Sequence, residues 1–260
     1  MPYNTVKLDC STEIATLTLN RPERHNALSP AMMDELMAAL EETASSAARV
    51  LILTGAGRSF CSGADLESLR ALAAQSPEQS LEDARHTSKF FRRLYTFPKP
   101  LIAAVNGAAL AGGCAVATMA DFTLAVPEAQ FGYTEVRVGF MPALVSAYLV
   151  RQMGEKRAGD LLLGGRVMGA EEAFGMDLVT EIVSRKKLLP RAAELAGQLL
   201  RSSPVSLQFT KRLLRQFSEA ELDRETELAI QASASIRSTE DFREGLSAFL
   251  EKRKPIWRGR

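Results

Sequence analysis

Along the first two thirds of the chain, the spacing of apolar residues alternates between that typical of strands and that typical of helices. Residues 5–19 alternate as paired strands do, and Pro22 ends the run. Ser29 and Pro30 open a helix that runs to about Ser45, because serine caps a helix well and proline suits its first turn. Further strands are predicted at 50–54, 101–105, 122–126 and 130–133, and further helices at 77–97 and 143–163. This alternation to about residue 184 predicts an α/β core.

The last part of the chain has a different pattern. From Lys187 onward, apolar residues recur at helical spacing only, in the segments 191–201, 205–216, 219–237 and 239–253. The sequence therefore predicts two parts: an α/β core over residues 1–186 and a helical C-terminal region over residues 187–260.

Composition narrows the class of protein. The 260 residues are 46% hydrophobic and 24% charged, with a net charge of +1, which is ordinary for a globular protein and argues against a general nucleic-acid binder. The sequence shows no run of about 18 apolar residues and no secretory leader pattern. We expect a cytoplasmic protein that does not associate with membranes.

Several familiar chemistries lack their sequence signatures. Three cysteines and two histidines, none at metal-ligand spacing, predict neither disulfides nor a metal site. The segment that begins at Gly55 starts like a dinucleotide-binding loop, but Phe60 stands where the third glycine belongs. The sequence also has no phosphate-binding Walker loop and no nucleophile elbow of a serine hydrolase.

A glycine-rich bend after the predicted 101–105 strand is the strongest local signal. Asn106 and Gly107 supply a turn, Gly112 and Gly113 permit close approach to the backbone, and residues 114–120 follow as a helix. Free N–H groups at such a bend can stabilise an anion, either a phosphate or an oxyanion formed during a reaction. A tight packing turn between strand and helix explains the same residues, so both interpretations stay open here.

Three motifs in order resemble one family. Arg58–Leu66, Ile102–Cys114 and Phe131–Gly139 together resemble the crotonase family, the enoyl-CoA hydratase/isomerase superfamily, and the likeness covers nearly the whole chain. The resemblance implies a crotonase-like spiral of β-β-α units with a helical C-terminal region that forms homotrimers or dimers of trimers. It also implies an acyl-CoA thioester as substrate, with no cofactor besides the coenzyme A that the substrate carries.

The resemblance assigns roles to residues by their position in the motifs. The N–H groups of Ala64 and Gly112 would form an oxyanion hole for the thioester carbonyl, and Glu135 would be the catalytic acid and base. Tyr133 would hold a water or a polar acyl group, or pack in the acyl pocket. Phe249 and Lys252 would touch coenzyme A from a neighbouring subunit, unless they are a packed aromatic and a solvated lysine. The implied substrate-binding residues are Arg24, Ser62, Asp65, Leu66, Tyr133, Phe249 and Lys252.

One catalytic position departs from the family pattern. Hydratases of this family that use two carboxylates carry a first glutamate where this chain has Ala115, whereas the second is present as Glu135. One carboxylate can still take a proton from one carbon and return it to another. The expected chemistry is therefore hydration of a 2-enoyl-CoA or a shift of the double bond from the 3 to the 2 position. A weakly catalytic or non-catalytic acyl-CoA-binding protein is the alternative.

The acyl end of the site departs as well. Residues 139–146 replace the glycines that many relatives carry after the proline with bulkier side chains. A branched or carboxylated acyl group is the hypothesis that follows.

Overall fold

Short strands of the chain form two sheets. The computed structural model describes residues 3–260, apart from the side chain of Leu66. Numbered along this part of the chain, the strands are β1 (Val6–Asp9), β2 (Ile14–Leu19), β3 (Val50–Gly55), β4 (Leu101–Val105), β5 (Ala109–Leu110), β6 (Phe122–Ala125), β7 (Gln130–Gly132), β8 (Val167–Gly169) and β9 (Glu181–Ile182). The larger sheet has the order β1-β2-β3-β4-β6-β9, and the smaller sheet has the order β5-β7-β8.

Helices connect and cover these strands. They are α1 (Pro30–Ser45), α2 (Leu66–Leu72), α3 (Pro77–Tyr95), α4 (Gly112–Thr118), α5 (Ala143–Gly164), α6 (Ala170–Gly175), α7 (Leu188–Leu200), α8 (Pro204–Gln216), α9 (Glu219–Ile236) and α10 (Glu240–Leu250). None of the helices in residues 3–260 combines the length and the apolar character needed to cross a membrane.

The larger sheet is the centre of the core. Strand β1 pairs with β2 in antiparallel fashion, and the other neighbouring strands are parallel. Every residue of β4 is buried, and all but the last residue of β3 are buried. Central parallel strands covered on both faces take continuous apolar runs of this kind.

The chain winds as a spiral in which two successive turns each add a strand to both sheets and then a helix. Strands β4 and β5 followed by α4 make one turn, and β6 and β7 followed by α5 make the next. The predicted spiral of β-β-α units is therefore confirmed. Strands β5 and β7 pair with each other, and each is followed by a loop. The two loops therefore come together at one end of the smaller sheet.

The C-terminal helices fold back over their own chain. Helix α7 packs against β3 and β4, so the first helix after the predicted division at residue 187 belongs with the sheet. Helix α8 is tied down by Lys211, whose ammonium lies 2.6 Å from the Asp121 carboxylate. Helix α9 packs against α3 and α5, and α10 packs against residues 135–138.

Some local structure differs from the sequence prediction. Helix α5 is kinked at Gly154, whose φ of 77° and ψ of 159° are not helical, although the hydrophobic pattern runs through it. Helix α3 ends at Tyr95 rather than at residue 97. The sequence analysis also missed α2 and α6, together with the short strands β5, β8 and β9, because such short elements leave no clear periodicity.

Candidate active site

A cavity of about 500 Å³ lies at the end of the smaller sheet, beneath helices α9 and α10. Its walls come from the loop before α1, the bend before α2, the start of α4, the segment 134–145 and the C-terminal helices. Among the residues predicted from the sequence, those that line this cavity are Arg24, Ser62, Ala64, Asp65, Gly112, Glu135 and Phe249. The fold thus brings together residues that are far apart in the sequence.

The backbone of Ala64 turns its N–H toward the cavity. The N–H of Leu28 donates to the carbonyl oxygen of Gly63 at 2.7 Å, and the N–H of Asp65 donates to the carbonyl oxygen of Leu28 at 2.9 Å. In such a parallel bridge, the flanking residues bond to the partner strand while the residue between them points its own polar groups to the other side. Since Ala64 lines the cavity, its N–H is available there.

Gly112 provides a second free N–H. It is the first residue of α4, so its amide has no acceptor within the helix. The preceding Ala111 has φ 49° and ψ −129°, a conformation that non-glycine residues rarely adopt, and its N–H donates to the carbonyl oxygen of Gly132 at 2.7 Å. This bond to the smaller sheet fixes the direction in which α4 begins.

The two bends touch each other through glycines. Gly63 has φ 91°, and a Cβ atom there would lie only 2.8 Å from the Cβ of Ala111. A Cβ atom at Gly113 would overlap the carbonyl oxygen of Cys61. Glycine at these two positions therefore lets the backbone before α2 approach the backbone that begins α4. The amides of Ala64 and Gly112 come to the same wall as a result.

Glu135 contributes a carboxyl group to the cavity wall. It begins a short 3-10 turn over Glu135–Val138, and its Oε2 is buried with no hydrogen-bond partner in the described chain. Burial raises the pKa of Glu135 from 4.5 to about 7, because an ionised carboxylate is poorly solvated there. A carboxyl group with that pKa exchanges protons readily at neutral pH.

Two other carboxylates in the wall are already engaged. The carboxylate of Asp65 lies 2.9 Å from Arg21 and accepts the N–H of Glu67 at the start of α2. The carboxylate of Asp83 lies 2.8 Å from the guanidinium of Arg237. Oε2 of Glu135, by contrast, has no hydrogen-bond partner among the described residues. Glu135 is therefore the better candidate for proton transfer.

Three predicted positions lie away from the cavity wall. Ala115 is fully buried within α4. Tyr133 is also buried, with its hydroxyl 3.2 Å from that of Thr118, so the ring packs in the core behind the wall. Lys252 follows α10 in a left-handed conformation at φ 56° and is exposed. The predicted role of Leu66 falls on a side chain outside the described part of the structure.

Two of the predicted substrate-binding residues in the cavity wall, Arg24 and Phe249, are half exposed. The guanidinium of Arg24 lies 3.4 Å from the Glu67 carboxylate and is half exposed. Phe249 is half exposed and lines the cavity of its own chain, because α10 folds back over it. The contact of Phe249 with coenzyme A bound to a neighbouring subunit stays a prediction.

The sequence analysis missed a polar group of the cavity. Asp83 on α3, and Ser233 and Arg237 at the end of α9, all belong to the wall. The only signal in the sequence was the spacing of four between Ser233 and Arg237, which places both on one helix face. That spacing alone does not show which cavity the face would meet.

The cavity wall thus holds a carboxyl group of raised pKa and two backbone amides, the set of groups that an enzyme needs in order to move protons next to a carbonyl group. Comparison with known proteins identifies the family. The family model for enoyl-CoA hydratase/isomerase matches residues 9–260. The chain is 37% identical to the 2,3-dehydroadipyl-CoA hydratase of Escherichia coli K12, over 95% of this chain and 96% of that protein.

Further relatives agree. A Thermus thermophilus protein whose name assigns it to the enoyl-CoA hydratases is 43% identical over 93% of this chain and 96% of its own. The crystal structure of an enoyl-CoA hydratase/isomerase from Xanthobacter autotrophicus Py2 superposes with a TM-score of 0.87 at 29% identity, covering 96% of this chain and 97% of that one. The chain belongs to the enoyl-CoA hydratase/isomerase family. It is an enzyme of that type, and the acyl-CoA-binding protein without catalysis is not favoured.

The contact between the two bends yields a first prediction. In Gly113→Ala the new methyl group overlaps the Cys61 carbonyl and forces the two backbones apart. We expect kcat/KM for enoyl-CoA to fall about 100-fold, the effect of losing one oxyanion donor. Gly159→Ala on α5 is the matched control, because a Cβ there meets nothing within 4 Å. A Gly113→Ala enzyme that melts cooperatively and turns over like Gly159→Ala would contradict this reading of the contact.

Proposed function

We propose that this enzyme hydrates a 2-enoyl-CoA with Glu135 as its acid and base and the N–H groups of Ala64 and Gly112 as its oxyanion hole. The observation that carries the proposal is the buried, unpartnered Oε2 of Glu135 in the cavity wall that also holds both amides. Coenzyme A enters as part of the substrate, along the side of the cavity where Arg24 and Ser62 lie.

One carboxylate accounts for both proton transfers. Ionised Glu135 takes a proton from a water molecule while the water oxygen bonds to C3 of the substrate. The electron pair of the C2–C3 double bond moves toward the carbonyl, and the negative charge on its oxygen is stabilised by the two amides. Protonated Glu135 then returns the proton to C2, so one water has been added and the carboxylate is regenerated.

Isomerisation is the second candidate, and Ala115 favours it. A methyl group can neither accept a proton nor orient water, and the buried Ala115 lies away from the cavity wall. In the isomerisation, Glu135 takes a proton from C2 of a 3-enoyl-CoA and returns it to C4. The same oxyanion hole stabilises the intermediate, because charge again collects on the thioester oxygen.

Mass spectrometry of the products distinguishes the two reactions. We expect 2-enoyl-CoA substrates, straight or branched, to gain one heavy oxygen when they are incubated with the enzyme in heavy-oxygen water. A shifted double bond in 3-enoyl-CoA without added oxygen would establish isomerisation in place of hydration. If neither substrate changes, the acyl-CoA-binding alternative replaces both.

Replacing the acid tests its role. Glu135→Gln cannot accept a proton, so we expect turnover to be lost while a saturated acyl-CoA binds within about threefold of the original affinity. In the unmodified enzyme, kcat/KM should rise with pH through about 7, because the ionised carboxylate is the form that starts either reaction.

Glu135→Gln should also change the free energy of unfolding, which we expect to rise even though turnover is lost. The folded pKa of Glu135 lies above its ordinary value, so the folded state binds more protons between about pH 4.5 and 7 and loses stability as the pH rises through that interval. At pH 8, Glu135→Gln is expected to be more stable than the original by about 1–3 kcal/mol in urea denaturation. Glu155→Gln, which changes an exposed glutamate, is the control for the stability measurement. Full activity in Glu135→Gln would refute the assignment of Glu135 as the acid and base.

We further propose that the chain assembles as a homotrimer, alone or in pairs. Its support is an apolar stripe on α8, where Val205, Phe209, Leu213 and Phe217 recur every four residues and are each more than half exposed. An apolar surface of this regularity is typical of a protein interface.

The stripe gives a prediction for assembly. Phe209→Glu places a charge in the middle of the stripe, and sedimentation velocity should then show monomers where the original chain sediments as a trimer or hexamer. Leu163→Glu, which changes an isolated and more exposed leucine on α5, is the matched control. An unchanged sedimentation coefficient for Phe209→Glu would place the interface elsewhere.

A further inference from the structure

Helix α9 presents two buried polar side chains to the cavity. Ser233 and Arg237 are four residues apart and so lie on one face of the helix. Both line the cavity, although only 1% of Ser233 and 6% of Arg237 is exposed to solvent. Polar groups buried to this extent require hydrogen-bond partners.

Their hydrogen-bonding capacity is only partly used. Nη1 of Arg237 donates to the Asp83 carboxylate at 2.8 Å and to Oε1 of Gln75 at 3.0 Å. In the described residues, the Nε of Arg237 and the Oγ of Ser233 have no partner. Each buried polar group left without a hydrogen bond costs about 1–3 kcal/mol. Two such groups on one helix face, at the wall of a cavity, point to a ligand atom between them.

Phe140 connects this helix face to the catalytic acid. The guanidinium of Arg237 lies 5.6 Å from the centre of the Phe140 ring, and the N–H of Phe140 donates to the carbonyl oxygen of Glu135 at 3.1 Å. Arg237 therefore lies against the segment that carries Glu135. Under the proposed function, on which this step rests, the reacting carbons lie beside Glu135 and the rest of the acyl chain extends past them toward Ser233 and Arg237.

We infer that the preferred substrate is an enoyl-CoA whose acyl chain carries a hydrogen-bond-accepting oxygen at its far end. The Nε–H of Arg237 and the hydroxyl of Ser233 are the donors that receive this oxygen. Asp83 balances the charge of the guanidinium, so the oxygen of a hydroxyl, a carbonyl or a carboxylate satisfies the same two donors. A chain that ends in a methyl group leaves both donors unpaired, and sites built to hydrogen-bond a substrate oxygen discriminate against such analogues.

The inference is tested with 2-enoyl-CoA substrates of one chain length that end in a methyl group, a hydroxyl group or a carboxylate. We expect kcat/KM to favour the oxygen-ended substrates at least tenfold over the methyl-ended one, and Ser233→Ala to reduce that ratio about tenfold, the loss of one hydrogen bond. The hydroxyl and carboxylate substrates show which oxygen fits better. The charge-balanced double variant Asp83→Asn with Arg237→Met should remove the preference.

A matched control lies on the same helix. Thr226→Val also removes a buried hydroxyl of α9, but Thr226 is outside the cavity wall, so the preference should stay as in the original chain. Calorimetric binding of the same substrates to Glu135→Gln measures the preference without turnover. Equal affinity for methyl-ended and oxygen-ended substrates, or a ratio that Ser233→Ala leaves unchanged, overturns the inference. If the original enzyme turns over none of these substrates while the binding preference is retained, the proposed function fails and the inference about the acyl end stands.

Discussion

The site depends on one steric constraint, the direct contact between two backbone bends. Gly63 and Gly113 allow the chain before α2 and the chain that begins α4 to approach more closely than any side chain would permit. Each bend is also bonded to a different partner, the first to Leu28 and the second to Gly132 of the smaller sheet. These bonds fix the positions of both amides, so the proposed oxyanion hole needs no reorganisation when charge develops on the substrate.

The acid beside these amides imposes a cost on folding. Oε2 of Glu135 is buried with no hydrogen-bond partner among the described residues, an arrangement that no gain in stability explains. The rest of the molecule offsets this cost through ordinary means, above all through the apolar core around β3 and β4. The raised pKa and the instability have the same physical origin, since both follow from removing water from the carboxylate.

The sequence predicted the elements with strong periodicity and the residues within recognisable motifs. The paired strands before Pro22, the capped helix α1 and the spiral architecture are confirmed, and the fold brings Ala64, Gly112 and Glu135 to one cavity. The contributions of α9 and α10 could not be foreseen, because the direction in which the tail folds depends on long-range packing against α3 and α5. A helix pattern shows which side chains share a face, but not what that face will meet.

Because the tail folds back over its own cavity, the two parts of the site differ in how freely their residues can be substituted. The bends and the proposed catalytic acid belong to the spiral, where a change of one methyl group disturbs the backbone. Part of the wall around the acyl chain belongs to α9, which is held by side-chain packing against α3 and α5 and contributes no strand to either sheet. Substitutions on that helix can accumulate without disturbing the amides. A lineage can therefore change what it recognises while it keeps how it reacts.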